Sequence, residues 1–113
     1  MMEAQASLNV QDLIEPLVNS MGETLGFVAH CPGCDSLHVI WTNSHDYPKW
    51  DFNGDLKKPT FSPSLLLRAP YHGDPKKRRC HAFIRNGQWL YLADCTHGLA
   101  GETVNMLPVE ADE

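Results

Sequence analysis

No stretch of this 113-residue sequence stays apolar for anything near the roughly 18 residues a membrane helix needs. Nothing in it resembles a signal peptide either, so the chain is expected to stay in the cytoplasm. Surplus positive charge is also missing: nine Lys and Arg stand against fourteen Asp and Glu, for a formal net charge of -5. That balance excludes a general nucleic-acid binder, which must neutralise phosphates with excess cations. The one basic run, Lys76-Lys77-Arg78-Arg79, reads as a solvated loop ahead of a strand. Cysteine is scarce, at four residues, and in a reducing compartment these are metal ligands or free thiols before they are disulfides. There is no internal repeat and no low-complexity segment.

What is abundant is punctuation. Eight Gly and eight Pro in a chain of this length favour many brief strands over a few long helices. Leu13 to Val18 reads as a helical turn or a strand, with Pro16 barring a central position in either. Leu25–His30 and Leu37–Thr42 read as a strand and its return. Residues 43–59 read as a long loop carrying Trp50 and Phe52, large aromatics that suit the wall of a pocket. Phe61–Arg68 is a strand that Pro63 places at an edge or a bulge. Cys80–Asp94 is the clearest element: two β-rich runs flank Asn86-Gly87, the preferred pair for a two-residue hairpin turn. Thr103–Leu107 closes the set. The expected fold is a small, mainly antiparallel β domain with little helix. Its expected limits are an N-terminal extension over 1–24, the folded domain over 25–108 and an acidic tail over 109–113.

Cys31-Pro32-Gly33-Cys34 is a metal knuckle: the two-residue gap lets both sulfurs face one ion, with Pro32 setting the turn. A redox pair would open a helix in a βαβ setting, and no such pattern follows Cys34. A structural zinc ion takes four N or S ligands, so the others must come from Cys80, His81, Cys95 and His97. A two-residue turn at Asn86-Gly87 sets Arg85 opposite Gln88 and Ile84 opposite Trp89, and side chains alternate between faces with period two. Cys80, Ala82, Ile84, Trp89 and Tyr91 then share one face, which Cys95 and His97 join if the strand continues. His81 and Asp94 fall on the other. The expected ligands are Cys31, Cys34 and Cys80, with His97 or Cys95 as the fourth. The resulting metal site is zinc-ribbon-like. His38 and His45 read as surface or ligand-supporting histidines, and Trp41, Trp89 and Tyr91 as core.

The face away from the knuckle holds a second constellation. A carboxylate behind an imidazole, Asp94 behind His81, is how a general base is oriented. Thr60-Phe61-Ser62-Pro63-Ser64 offers hydroxyl nucleophiles, and Ser62 and Ser64 share a face if the strand is regular. Gly98 and Gly101 flank Leu99-Ala100 in a loop that could present backbone N–H groups to an oxyanion, though turn-making alone accounts for them.

Four segments together resemble one family: Cys31-Pro32-Gly33-Cys34 with His38; Trp50-Asp51-Phe52-Asn53-Gly54-Asp55; Lys58-Pro59-Thr60-Phe61-Ser62-Pro63-Ser64-Leu65; and Cys80-His81-Ala82-Phe83-Ile84 through Asn86-Gly87 to Asp94-Cys95-Thr96-His97-Gly98-Leu99-Ala100-Gly101-Glu102-Thr103-Val104. The family is a small zinc-binding domain of phage and bacterial genomes, often mislabelled "ammonia monooxygenase". Its members include serine-type peptidases encoded beside bacterial ubiquitin-like conjugation genes. The resemblance covers roughly residues 27 to 108. It implies a cytoplasmic hydrolase of a bacterial host cell with one structural zinc, acting on a ubiquitin-like protein. The matching positions are Ser62 or Ser64, His81 or His97, and Asp94. The position of Cys95 is Ser in some relatives, which favours His97 as fourth ligand. The rival expectation is a non-catalytic, zinc-stabilised module that binds a protein or peptide partner. A third, a metal-water hydrolase, needs an open coordination position.

Overall fold

The structure, a computed structural model, describes residues 12–44, 47–67 and 79–109. His45, Lys76, Lys77 and Arg78 of the basic run, and the acidic end 110–113 lie outside them. Eight strands follow in chain order: β1 (Ile14–Val18), β2 (Thr24–Cys31), β3 (Ser36–Trp41), β4 (Asp51–Phe52), β5 (Phe61–Leu67), β6 (Cys80–Arg85), β7 (Gln88–Tyr91) and β8 (Thr103–Asn105). They form two antiparallel sheets, ordered β1-β2-β3 and β4-β5-β6-β7-β8. Among the described residues there is no helix, and none long and apolar enough to cross a membrane. The mainly antiparallel β class read from the sequence is the class observed.

Period-two alternation explains which side chains face inward. On β2, Phe27, Ala29 and Cys31 are buried, while Val28 and His30 between them are only partly so. Phe27 crosses to the second sheet, with ring centroids 4.7 Å from Phe52 and 6.2 Å from Phe61. Trp89 and Ile84, directly opposite each other on the β6–β7 hairpin, are fully buried beneath them. A bridge between His30 and Leu107 ties the first sheet to the chain beyond β8.

Three expectations shift. The folded unit begins before residue 25: β1 pairs with β2 from Ile14↔Ala29 onward, and Ile14 is fully buried. Pro16 is accommodated because β1 is the outer strand of its sheet. Within 43–59, β4 pairs with β5, and Phe52 stacks on Phe61 at 4.8 Å, so this aromatic belongs to the core. The turn after it is held by Asn53 Oδ1, which accepts from Asp55 N and Thr60 N, and by the Asp55 carboxylate. That carboxylate accepts from Lys57 N and Lys58 N, which keeps its pKa below the usual range. Trp41 lies partly exposed, stacked on Tyr47 at 4.7 Å, where burial in the core was expected.

The β6–β7 hairpin has the register read from the sequence, from Arg85↔Gln88 to Ala82↔Tyr91. Asn86 and Gly87 carry φ of 50° and 76°, the two left-handed positions of a type I′ turn. On β5, the Ser62–Pro63 peptide is cis, and the register against β6 shifts between Phe61 and Leu65. This is the bulge that Pro63 anticipated, and it sets Ser64 apart from the regular period of its strand.

Candidate active site and metal centre

On the outward side of β5 and β6, three side chains line up. Ser64 Oγ lies 3.3 Å from His81 Nε2, and His81 Nδ1 lies 3.2 Å and 3.3 Å from the two Asp94 oxygens. β5 and β6 are paired there, with Leu66 opposite His81, so Ser64 approaches the imidazole from the neighbouring strand. Asp94 arrives from the turn after β7, where Cys95 N donates to Leu92 O. Its bond to His81 holds the Asp94 carboxyl below the usual carboxylate range, so it is ionised at neutral pH. An ionised carboxylate can only accept, so in the neutral imidazole the tautomer that suits this geometry carries its proton on Nδ1 and turns the Nε2 lone pair to the Ser64 hydroxyl. The imidazole is a quarter exposed and Asp94 about half, at 26% and 46%, so the array is open to solvent.

Ser62 stands elsewhere. It is exposed and pairs with Asp51 of β4, and the bulge at Pro63 breaks the even spacing that placed it on one face with Ser64. Thr60 uses its hydroxyl to accept from Asn86 N at the hairpin turn. Trp50 donates from Nε1 to the Ser64 carbonyl at 3.2 Å, so it braces the serine's strand. The glycine-flanked loop offers few donors: Leu99 N, Ala100 N, Gly101 N and Glu102 N all bond within the protein, to His97 Nδ1, His97 O, Leu92 O and Leu99 O.

On the inner side of β6, one residue before His81, lies Cys80. Ligand atoms of Cys31, Cys34, Cys80 and His97 all fall within 4.8 Å of one another, a group that could hold a metal ion. Cys31 and Cys80 are buried, with sulfurs 3.8 Å apart. Three thiols and an imidazole converging from two sheets and a loop make a donor set that fits a tetrahedral ion. Hydrogen bonds from Cys34 and then Cys80 pull the Cys31 thiol far below the ordinary range, while Cys80, donating to Cys31, is pushed up. The knuckle needs Gly33 for space: a Cβ there would overlap the His97 ring. Of the two sequence alternatives, His97 is gathered with the other three, whereas Cys95 lies outside the cluster, its sulfur against the backbone of His81.

Tyr91 is buried in the core, as its sequence suggests, and also has a second contact. Its hydroxyl lies 3.1 Å from Cys31 Sγ and accepts from Gly33 N at 3.2 Å. Burial, and then the bond to Cys31, push its pKa up, so the hydroxyl keeps its proton and donates to the sulfur. Hairpin parity puts Tyr91 on the Cys80 face, so this contact is within reach of the sequence. His38 packs edge-on against Trp89, ring centroids 6.0 Å apart; it is not one of the four clustered residues, but its hydrogen bond to Cys31 adds to the lowering of that thiol.

A family model described as BubE, bacterial ubiquitination-like system serine protease, matches residues 6–92. A comparison with curated proteins returns no match, and neither does one with solved structures.

Proposed function

Because this chain belongs to the BubE family of bacterial ubiquitination-like system serine proteases, we propose that it hydrolyses a peptide or related acyl bond at the C-terminal end of a ubiquitin-like protein. The observation that carries the reading is the unbroken chain of contacts from Ser64 Oγ through His81 to the Asp94 carboxylate. In this mechanism His81 Nε2 takes the Ser64 proton as Oγ attacks the scissile carbonyl. The imidazolium, steadied by Asp94, then protonates the leaving amine, and a water deprotonated by the same nitrogen releases the acyl group from Ser64.

Cys31, Cys34, Cys80 and His97 would hold one zinc ion. The 3.8 Å between the Cys31 and Cys80 sulfurs is about the edge of a tetrahedron of thiolates roughly 2.3 Å from zinc. Bound there, the ion supplies cross-linking of the fold rather than an activated water, since four protein ligands close the site. Cys80 and His81 are consecutive and alternate in direction, so the strand that the ion pins also fixes the base.

The test is cleavage of a bacterial ubiquitin-like protein carrying a short C-terminal extension. Wild type is expected to release the extension, and Ser64→Ala to lose the activity. Asp94→Asn is expected to fall by about 10²- to 10⁴-fold with its metal retained. Cleavage by Ser64→Ala at the wild-type rate would contradict the assignment.

A further inference from the structure

Cys95 has no place in the metal cluster, yet it is buried and its sulfur sits where the β6–β7 ladder breaks. The paired strands end at Ala82↔Tyr91. The next ladder pair would join His81 to Leu92, and only half of it forms: Leu92 N donates to His81 O at 2.9 Å. The return bond does not form, as the chain leaves the ladder after Tyr91. Leu92 O instead accepts Cys95 N at 3.2 Å and Gly101 N at 3.3 Å. That leaves the His81 N–H in need of an acceptor, and Cys95 Sγ supplies it at 3.2 Å. The same sulfur lies 3.2 Å from His81 O, to which its S–H donates.

We propose that Cys95 is a positioning residue for the reaction: its thiol replaces the lost ladder partner and locks the His81 backbone, while its neighbour Asp94 locks the ring. Two consecutive residues thus hold one base from both ends. The energetics favour such a clasp. An unpaired N–H inside a protein is costly, so without the sulfur the strand would shift to find water or another acceptor. A small shift of the base relative to Ser64 Oγ, already at 3.3 Å, would lengthen the proton-transfer contact. A thiol serves where a methyl would not, because it both donates and accepts.

This inference rests on the reading of Ser64 as nucleophile, and its test separates the two. Wild type, Ser64→Ala, Cys95→Val and Cys95→Ser are compared for the rate at which a fluorophosphonate modifies Ser64, followed by intact mass, with zinc content measured on each. Valine fills the space but neither donates nor accepts; serine restores both functions. The expected result is full zinc in all four chains and, in Cys95→Val, a drop of about tenfold or more in the saturating rate with the half-saturating concentration unchanged. Cys95→Ser should recover most of that loss. In parallel, amide exchange at His81 should quicken in Cys95→Val and slow again in Cys95→Ser. Reaction of Cys95→Val at the wild-type rate, with His81 exchange unaltered, overturns the positioning role and leaves the nucleophile in place. Loss of zinc in Cys95→Val overturns it too, by making Cys95 a metal residue. A wild type that never reacts at Ser64 overturns both readings together.

Discussion

Gly33 shows how narrowly one residue can be specified. Its backbone is not in the left-handed region; it is glycine because the His97 ring occupies the volume a Cβ would take. Gly33→Ala is therefore expected to push His97 away from the three sulfurs and weaken metal binding by about 10- to 100-fold, as loss of an outer support does elsewhere. A competition titration against a chromophoric chelator measures this, and an unchanged affinity would contradict the packing account. The sequence revealed the pairing of Cys31 with Cys34, because a two-residue gap carries its geometry with it. It revealed less of Cys95 and Trp50. Their contacts are to backbone atoms of His81 and Ser64, and any residue type can offer those.

At the scale of elements, the β6–β7 hairpin carries the design. Its turn demands positive φ at Asn86 and Gly87, and a Cβ on Gly87 would also lie 3.3 Å from Leu13 Cδ1 and from Lys58 Cα. Gly87→Ala is expected to cost about 1 kcal/mol or more and lower the melting temperature of the metal-loaded protein by roughly 4 °C. Calorimetry checks it; an unchanged melting temperature would mean that the turn relaxes freely. This hairpin could be read in advance because a dipeptide fixes the turn, the turn fixes the register, and the register fixes the faces. Parity alone separates His81 from Cys80. The reading failed where regularity ends. β5 bulges at Pro63, so Ser62 and Ser64 part company, and β7 stops at Tyr91, so His97 and Cys95 are set by a turn instead of an alternating strand. β1 was ambiguous because Pro16 suits the edge of a sheet as well as a loop, and β4 is too short to leave a pattern.

Across the whole molecule, the cluster draws on β2, the turn that follows it, β6 and the loop after β7, and so spans both sheets. Removing a bound ion should then destabilise the fold and disarm Ser64 together. Chelation, or Cys34→Ser, is expected to lower the melting temperature by roughly 10 °C or more and to abolish serine reactivity in parallel. A metal-free chain that stays folded and reactive would break this link. On the proposed mechanism, Ser64 is activated on an open β face by a base carried on the strand that would also hold the metal. The most direct measurement is intact-mass labelling with a fluorophosphonate on zinc-loaded wild type, Ser62→Ala and Ser64→Ala. One adduct on wild type and on Ser62→Ala, and none on Ser64→Ala, is the predicted result. No adduct on folded, zinc-loaded wild type, or an adduct that survives Ser64→Ala, would contradict it.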